Sequence, residues 1–90
     1  MKILTGALRG RKVLFKPNPN LRPTADKTRK AIFDMLQGGL EGAKVLDLFS
    51  GTGALGFEAL SSGAEFVTFV ESERAQALEI KKSLEKLTSQ

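Results

Sequence analysis

Residues 44–60, KVLDLFSGTGALGFEAL, decide how the chain folds. The apolar run at 44–49 is typical of a strand buried in a parallel sheet. The loop after it opens a helix that we expect to continue to about residue 62. Gly51, Gly53 and Gly56 match the pattern G-x-G-x-x-G, in the strand–loop–helix context that gives this pattern its meaning. The stretch therefore predicts an α/β fold in which backbone N–H groups of the loop meet a nucleotide-like ligand.

Two carboxylates indicate which ligand this is. Glu71 directly follows a second apolar run at 66–70, at the strand tip where a carboxylate can accept both hydroxyl groups of an adenosine ribose. Asp47 lies near the end of the first strand, where it would repel a pyrophosphate but can hold the ammonium group of an amino acid. Together they favour S-adenosylmethionine over NAD. A dinucleotide-binding fragment of an oxidoreductase remains the alternative.

The elements on either side extend the alternating pattern. Short strands at 2–5 and 12–15 predict a basic β-hairpin arm, and the proline-rich residues 16–23 predict a linker. Helices are expected at 24–37, with Thr24 as N-cap, and at 73–87. We therefore expect an arm and linker at 1–23, followed at 24–90 by the first βαβα of a Rossmann-like sheet.

Arg29 lies within the apolar stripe of the helix at 24–37, on the same face as Ile32 and Phe33. Two interpretations are open. Its alkyl stem packs while the guanidinium reaches water, or the guanidinium reaches an anion or a polar pocket beneath the helix.

Composition narrows the functional classes. A chain of 90 residues with 41% apolar and 27% charged content suits one soluble globular unit. It has no Cys and no His, which excludes disulfides and the commonest zinc and catalytic-dyad chemistries, and we predict no metal site. The lack of Cys fits a reducing cytoplasm, the expected location. No apolar run is long enough to span a membrane, and the N-terminus lacks a secretory signal pattern.

Positive charge is concentrated at the N-terminal end. Residues 1–40 carry nine Lys or Arg against two Asp, a net charge of +7, whereas residues 41–90 carry five basic and eight acidic residues, a net charge of −3. This asymmetry favours a polyanionic partner, although a basic surface that is merely solvated would look the same. The candidate RNA contacts are Arg9, Arg11, Lys12, Arg22, Lys27 and Lys30.

A non-enzymatic basic RNA-binding module is a further alternative. Such a module stacks bases on surface aromatic side chains. The chain has no Tyr or Trp, and all six Phe have plausible core positions, which argues against it.

The residues also resemble a known family. Residues 46–60 resemble motif I of class I S-adenosylmethionine-dependent methyltransferases. The N-terminal part of the chain resembles the signature of the RsmD-like family, whose members methylate guanine N2 of 16S ribosomal RNA in the small subunit. The residues that carry this resemblance are Leu4-Thr5-Gly6, Arg9-Gly10-Arg11, Arg22-Pro23-Thr24, Arg29 and Phe33.

This resemblance implies roles for individual residues. Glu71 would be the ribose ligand, and Thr24, in a segment closing over the methionine end, would be a further contact. The remaining donor contacts that it implies are Asp47, Phe49, Ser50, Gly51, Thr52 and Gly53. Small-subunit ribosomal RNA and S-adenosylmethionine would be the partners.

One motif of the family is missing. Its members hold the target base with an Asn/Asp-Pro-Pro-aromatic motif after the fourth strand, and residues 1–90 contain no such motif. We therefore expect the chain to be the N-terminal half of such an enzyme, with no catalytic residue of its own and no activity by itself. Its unpaired sheet edges predict self-association.

Overall fold

The structure, a computed structural model, describes residues 1–15, 25–36, 38–48 and 52–88. The described elements are α1 (Asp26–Met35), β1 (Lys44–Leu48), α2 (Ala54–Ser61), β2 (Phe66–Val70) and α3 (Arg74–Thr88). Their α/β order is the predicted one, and their ends lie within about two residues of the predicted ends, the usual uncertainty of helix limits. In this part of the chain no helix is long and apolar enough to cross a membrane.

The two strands form a parallel pair joined by α2. Lys44 lies opposite Phe66 and Leu48 opposite Val70, so the carboxyl ends of β1 and β2 are side by side. A parallel pair needs a crossover connection, and here α2 provides it. The loop before α2 and the residue after β2 therefore start from neighbouring strand ends.

One face of this sheet is bare. Leu46, Leu48 and Phe66 are each about 60% exposed, and Val70 is also exposed. The prediction of strands buried on both faces is wrong here, because the core clusters contributed by all three described helices pack on the other face, against Val45, Val67 and Phe69. The prediction that every Phe has a core position is wrong at Phe66 for the same reason. It is also wrong at Phe15, which is exposed.

The first fifteen residues, which we call the N-terminal segment, do not form the predicted hairpin arm. One antiparallel bridge between Lys2 and Lys12 replaces the two expected strands. Beyond the bridge, the N–H groups of Leu4, Thr5 and Leu8 bond to side chains of α2, so they are not available to extend a ladder.

This segment is part of the protein core. Ile3 and Val13 are 2% and 3% exposed and pack with Phe57, Ile80 and Leu87 of α2 and α3. The predicted linker at 16–23, and with it the proposed boundary at residue 23, lies outside the described residues.

Gly56 sets the distance between α2 and β2. A Cβ atom at this position would overlap the ring of Phe69. Without it, Phe57 and Phe69 pack with their ring centroids 5.1 Å apart. The third glycine of the motif therefore serves close helix–strand packing, as in dinucleotide-binding folds.

Candidate donor site and basic surface

The described part of the glycine loop is Thr52 and Gly53, which lead into α2. Gly53 is the N-cap of α2 and has a left-handed backbone with φ 79°. A Cβ there would lie 2.8 Å from the Phe57 ring. Because glycine has no side chain, it cannot cap the helix itself. Phe49, Ser50 and Gly51, the other predicted loop contacts, lie outside the described residues.

Asp47 supplies the missing cap from the neighbouring strand. It is buried near the end of β1, and its Oδ2 accepts a hydrogen bond from the Gly56 N–H at 3.1 Å. Gly56 is the third residue of α2, whose N–H is one that an N-cap side chain normally binds. Thr52 Oγ1 also accepts from the Ala54 N–H, at 3.3 Å. Sequence reasoning assigned Asp47 to a ligand alone and missed this contact, although a strand-end Asp before a glycine N-cap is the signal for it.

Glu71 stands at the adjacent strand end. It follows β2 directly and is half-buried, and its Oε2 accepts from the Glu73 N–H at 2.8 Å. Since Val70 pairs with Leu48, Glu71 and the glycine loop leave the sheet at the same edge. The arrangement places two carboxylates and the N-terminus of a helix at one end of the strand pair. Such a set can bind a ligand that carries both a cationic group and hydroxyl groups.

Behind this site, Glu58 of α2 forms a buried polar cluster with the N-terminal segment. Its carboxylate accepts from the Leu4 N–H at 2.7 Å, the Thr5 N–H at 3.1 Å and the Thr5 hydroxyl at 2.8 Å. Arg29 lies beside it, with Nε 3.1 Å from Oε2 in an ion pair that lacks hydrogen-bond geometry. Arg29 Nη2 donates to the Lys2 carbonyl at 2.7 Å.

These contacts decide between the two interpretations of Arg29. Its guanidinium does not reach water but pairs with a buried anion, Glu58. Sequence reasoning did not single out Glu58. The available signal was that it is the only charged residue in the otherwise uncharged sequence of α2.

The predicted RNA contacts fall into two described groups. Arg9 and Lys12 are exposed and Arg11 is half-buried, all in the N-terminal segment. Lys27 and Lys30 are exposed on α1, where Lys30 forms an ion pair with Asp34 at 2.9 Å. Two further predicted contacts lie outside the described residues, namely Arg22 for RNA and Thr24 for the donor. The first three cations lie within four residues of the sequence, and their role in RNA binding stays a prediction.

Comparison with known proteins gives the family. The family described as Conserved hypothetical protein 95 matches residues 1–90. The chain belongs to this family.

Two relatives that the chain matches are named as ribosomal RNA methyltransferases. "Ribosomal RNA small subunit methyltransferase D" of Buchnera aphidicola (subspecies Acyrthosiphon pisum) is 42% identical over 85 residues, which cover 94% of this chain and 44% of the relative. The protein of the same name from Escherichia coli K12 is 42% identical over 84 residues, covering 93% and 42%. These matches confirm the resemblance to the RsmD-like family. The chain spans less than half the length of the curated relatives it matches.

A solved structure agrees with the fold. A proposed methyltransferase from Escherichia coli superposes with a TM-score of 0.86 at 40% identity, covering 99% of this chain and 49% of that protein. The described α/β elements therefore correspond to about half of a methyltransferase structure.

Proposed function

We propose that the chain forms the donor-binding part of an S-adenosylmethionine-dependent methyltransferase that modifies guanine N2 of small-subunit ribosomal RNA. The observation that carries the choice of donor is the hydrogen bond from the Gly56 N–H to Asp47. The family assignment and the names of the relatives support the reaction class. The target atom, guanine N2, follows from the family resemblance.

The Asp47 contact disfavours a dinucleotide. Pyrophosphate binding at a helix N-terminus requires free N–H groups and a positive local field. In α2 the N–H of the third residue is already bound, and the group that binds it is a carboxylate. A pyrophosphate at this position would meet a negative charge where it needs a donor. An ammonium group placed there would meet an attractive charge.

The chain's residues fit the two polar ends of S-adenosylmethionine, which supplies a sulfonium methyl group when bound. Asp47 would face the methionine ammonium, and Glu71 would accept hydrogen bonds from the ribose hydroxyl groups. The missing Cβ of Gly53 makes room for the Phe57 ring, so Gly53 would contact the donor through its backbone alone. The same proposal includes Phe49, Ser50, Gly51, Thr52 and Thr24 as donor contacts.

The basic N-terminal segment would bind the RNA. Arg9, Arg11 and Lys12 lie within four residues of each other there, and α1 carries two further exposed lysines, Lys27 and Lys30, of which Lys30 pairs with Asp34. Phosphate contacts of this kind position a protein on nucleic acid without reading its sequence. The proposal also places the protein in the cytoplasm.

Calorimetry with S-adenosylmethionine, its demethylated product and NAD tests the donor assignment. We expect both adenosyl compounds to bind more tightly than NAD. Replacing Glu71 by Ala should weaken their binding by about 1–3 kcal/mol, the range for removing a hydrogen-bond partner. Glu73→Ala removes an exposed carboxylate two residues away and is the matched control. Tighter binding of NAD would assign the chain to the oxidoreductase class instead.

A further inference from the structure

Lys2 and Lys12 face each other across the antiparallel bridge of the N-terminal segment. The Ile3 N–H donates to the Arg11 carbonyl and the Val13 N–H to the Met1 carbonyl, each at 2.9 Å. These bonds flank the lysines, so the lysines form a non-hydrogen-bonded pair, the type in which opposed side chains are closest. Their Cβ atoms are then about 4.5–5.5 Å apart on the same face.

The two ammonium groups point away from the core. Ile3 and Val13, the next residue along each strand, are buried, whereas both lysines are exposed. Like charges directly opposite each other destabilise a strand pair. The ion pairs between two described residues involve neither Lys2 nor Lys12.

The backbone holds this lysine pair in place. The Lys2 carbonyl accepts from the buried Arg29, and the Leu4 N–H two residues later donates to Glu58. On the other strand, the Leu14 N–H donates to the buried Ser83 hydroxyl of α3 at 2.9 Å. The strands therefore cannot separate without breaking these part-buried hydrogen bonds, so the backbone keeps the two lysine Cβ atoms close. The repulsion is relieved when an anion lies between the two side chains.

We propose that the Lys2–Lys12 pair binds one backbone phosphate of RNA between its two ammonium groups, an inference that rests on the proposed function. Lysine binds phosphate as a point charge with three donors, and two such groups suit the several acceptor oxygens of one phosphate. Arg9 and Arg11, in the connecting loop and beside Lys12, supply positive charge for adjoining phosphates. Lys2 thus joins the RNA-binding surface, and the register of the bridge gives it a specific partner.

The test compares the full 90-residue chain with its Lys2→Gln, Lys12→Gln and doubly substituted variants. The probe is a single-stranded uridine oligonucleotide, and anisotropy is measured at several salt concentrations. Each lost phosphate contact lowers the slope of log affinity against log salt by about 0.7 on single strands. If both lysines bind the same phosphate, the losses of affinity are coupled, and the double variant loses less than the product of the two single losses.

The melting temperature is a second measurement. It would not respond as described below if the two lysines contacted only solvent. Removing both like charges should raise the melting temperature at low salt, and the increase should shrink at high salt because salt screens the repulsion. The oligonucleotide should raise the melting temperature of the parent chain more than that of the double variant. Lys81→Gln with Lys82→Gln, on α3, removes the same charge elsewhere and should change the RNA affinity little.

Several outcomes would overturn the proposal. They are an unchanged salt slope in the double variant, independent effects of the two substitutions, or an equal loss of affinity in the α3 control. Phosphatidylserine vesicles that compete equally for the pair would assign it to a lipid surface. Calorimetric binding of S-adenosylmethionine tests the donor site separately, so the lysine pair can fail while the proposed function stands.

Discussion

Arg29 Nε lies 3.1 Å from Glu58 Oε2, and both side chains are 1% exposed. This ion pair joins α1 to α2 in the interior of the protein. Through the Lys2 carbonyl and the N–H groups of Leu4 and Thr5, the same two side chains also hold the N-terminal segment. Three stretches that are distant in sequence therefore meet at one pair of opposite charges.

Removing Glu58 should be strongly destabilising, because the buried Arg29 guanidinium then keeps only the exposed Asp26 carboxylate, 3.3 Å from Nη2, as a charged partner. We expect Glu58→Ala to reduce the free energy of unfolding by about 3–5 kcal/mol, measured by denaturant titration. Arg29→Met together with Glu58→Met should cost less than the sum of the single changes. Asp34→Ala breaks the exposed Lys30–Asp34 pair on α1 and should cost less than about 1 kcal/mol. If Glu58→Ala and Asp34→Ala reduced the free energy of unfolding equally, burial would not determine how much the Arg29–Glu58 ion pair contributes to stability.

Asp47 caps α2 and is proposed to bind the ammonium group of the donor. Substitutions can separate these two roles. Asp47→Ala removes the acceptor of the Gly56 N–H and should cost about 1–3 kcal/mol of stability. Asp47→Asn keeps an acceptor oxygen but loses the negative charge, so it should retain most of the stability while losing affinity for S-adenosylmethionine. Thermal unfolding and calorimetry on both variants make the comparison. Full donor affinity in the Asn variant would leave Asp47 a capping role alone.

Gly56 should not tolerate even the smallest side chain. Alanine favours helices by about 1 kcal/mol over glycine, but a Cβ at Gly56 would overlap the Phe69 ring. We expect Gly56→Ala to be destabilising by about 1–3 kcal/mol, and Phe69→Leu in the same chain to recover part of this loss. Gly39→Ala, whose Cβ would meet only the Leu36 carbonyl at 3.3 Å, is the control. A more stable Gly56→Ala variant would mean that α2 can move away from β2.

Local patterns were sufficient for the elements around the glycine loop. The apolar run at 66–70 coincides with β2, and helical spacing located α3 to within one residue at each end. The motif placed Gly53 at the start of α2 because strand, loop and helix follow one another directly in sequence. These features depend on residues close together in the chain.

The features that sequence patterns did not predict depend on contacts between residues that are distant in the chain. The N-terminal segment was predicted as a hairpin arm from two short apolar stretches on either side of a glycine-containing turn. Its N–H groups instead bond to Glu58 and Ser83, 54 and 69 residues away. No local periodicity reports such pairs. The bare sheet face was missed because a near-continuous apolar run is typical of a strand covered on both faces, whereas the described helices cover only one face.

The bare face should cause self-association of this chain. Leu46, Leu48, Phe66 and Val70 form an exposed apolar surface on two adjacent strands, and large patches of this kind favour association. We expect dimers or larger species that increase with concentration in sedimentation experiments. Leu48→Lys should shift the chain towards monomer, because pairing two such faces would bury an ammonium group. Leu78→Lys, at a leucine on α3 that is also half exposed or more, should leave the distribution unchanged. If both variants associate as the parent does, the contact lies elsewhere, and the free edges of β1 and β2 become the next surfaces to substitute.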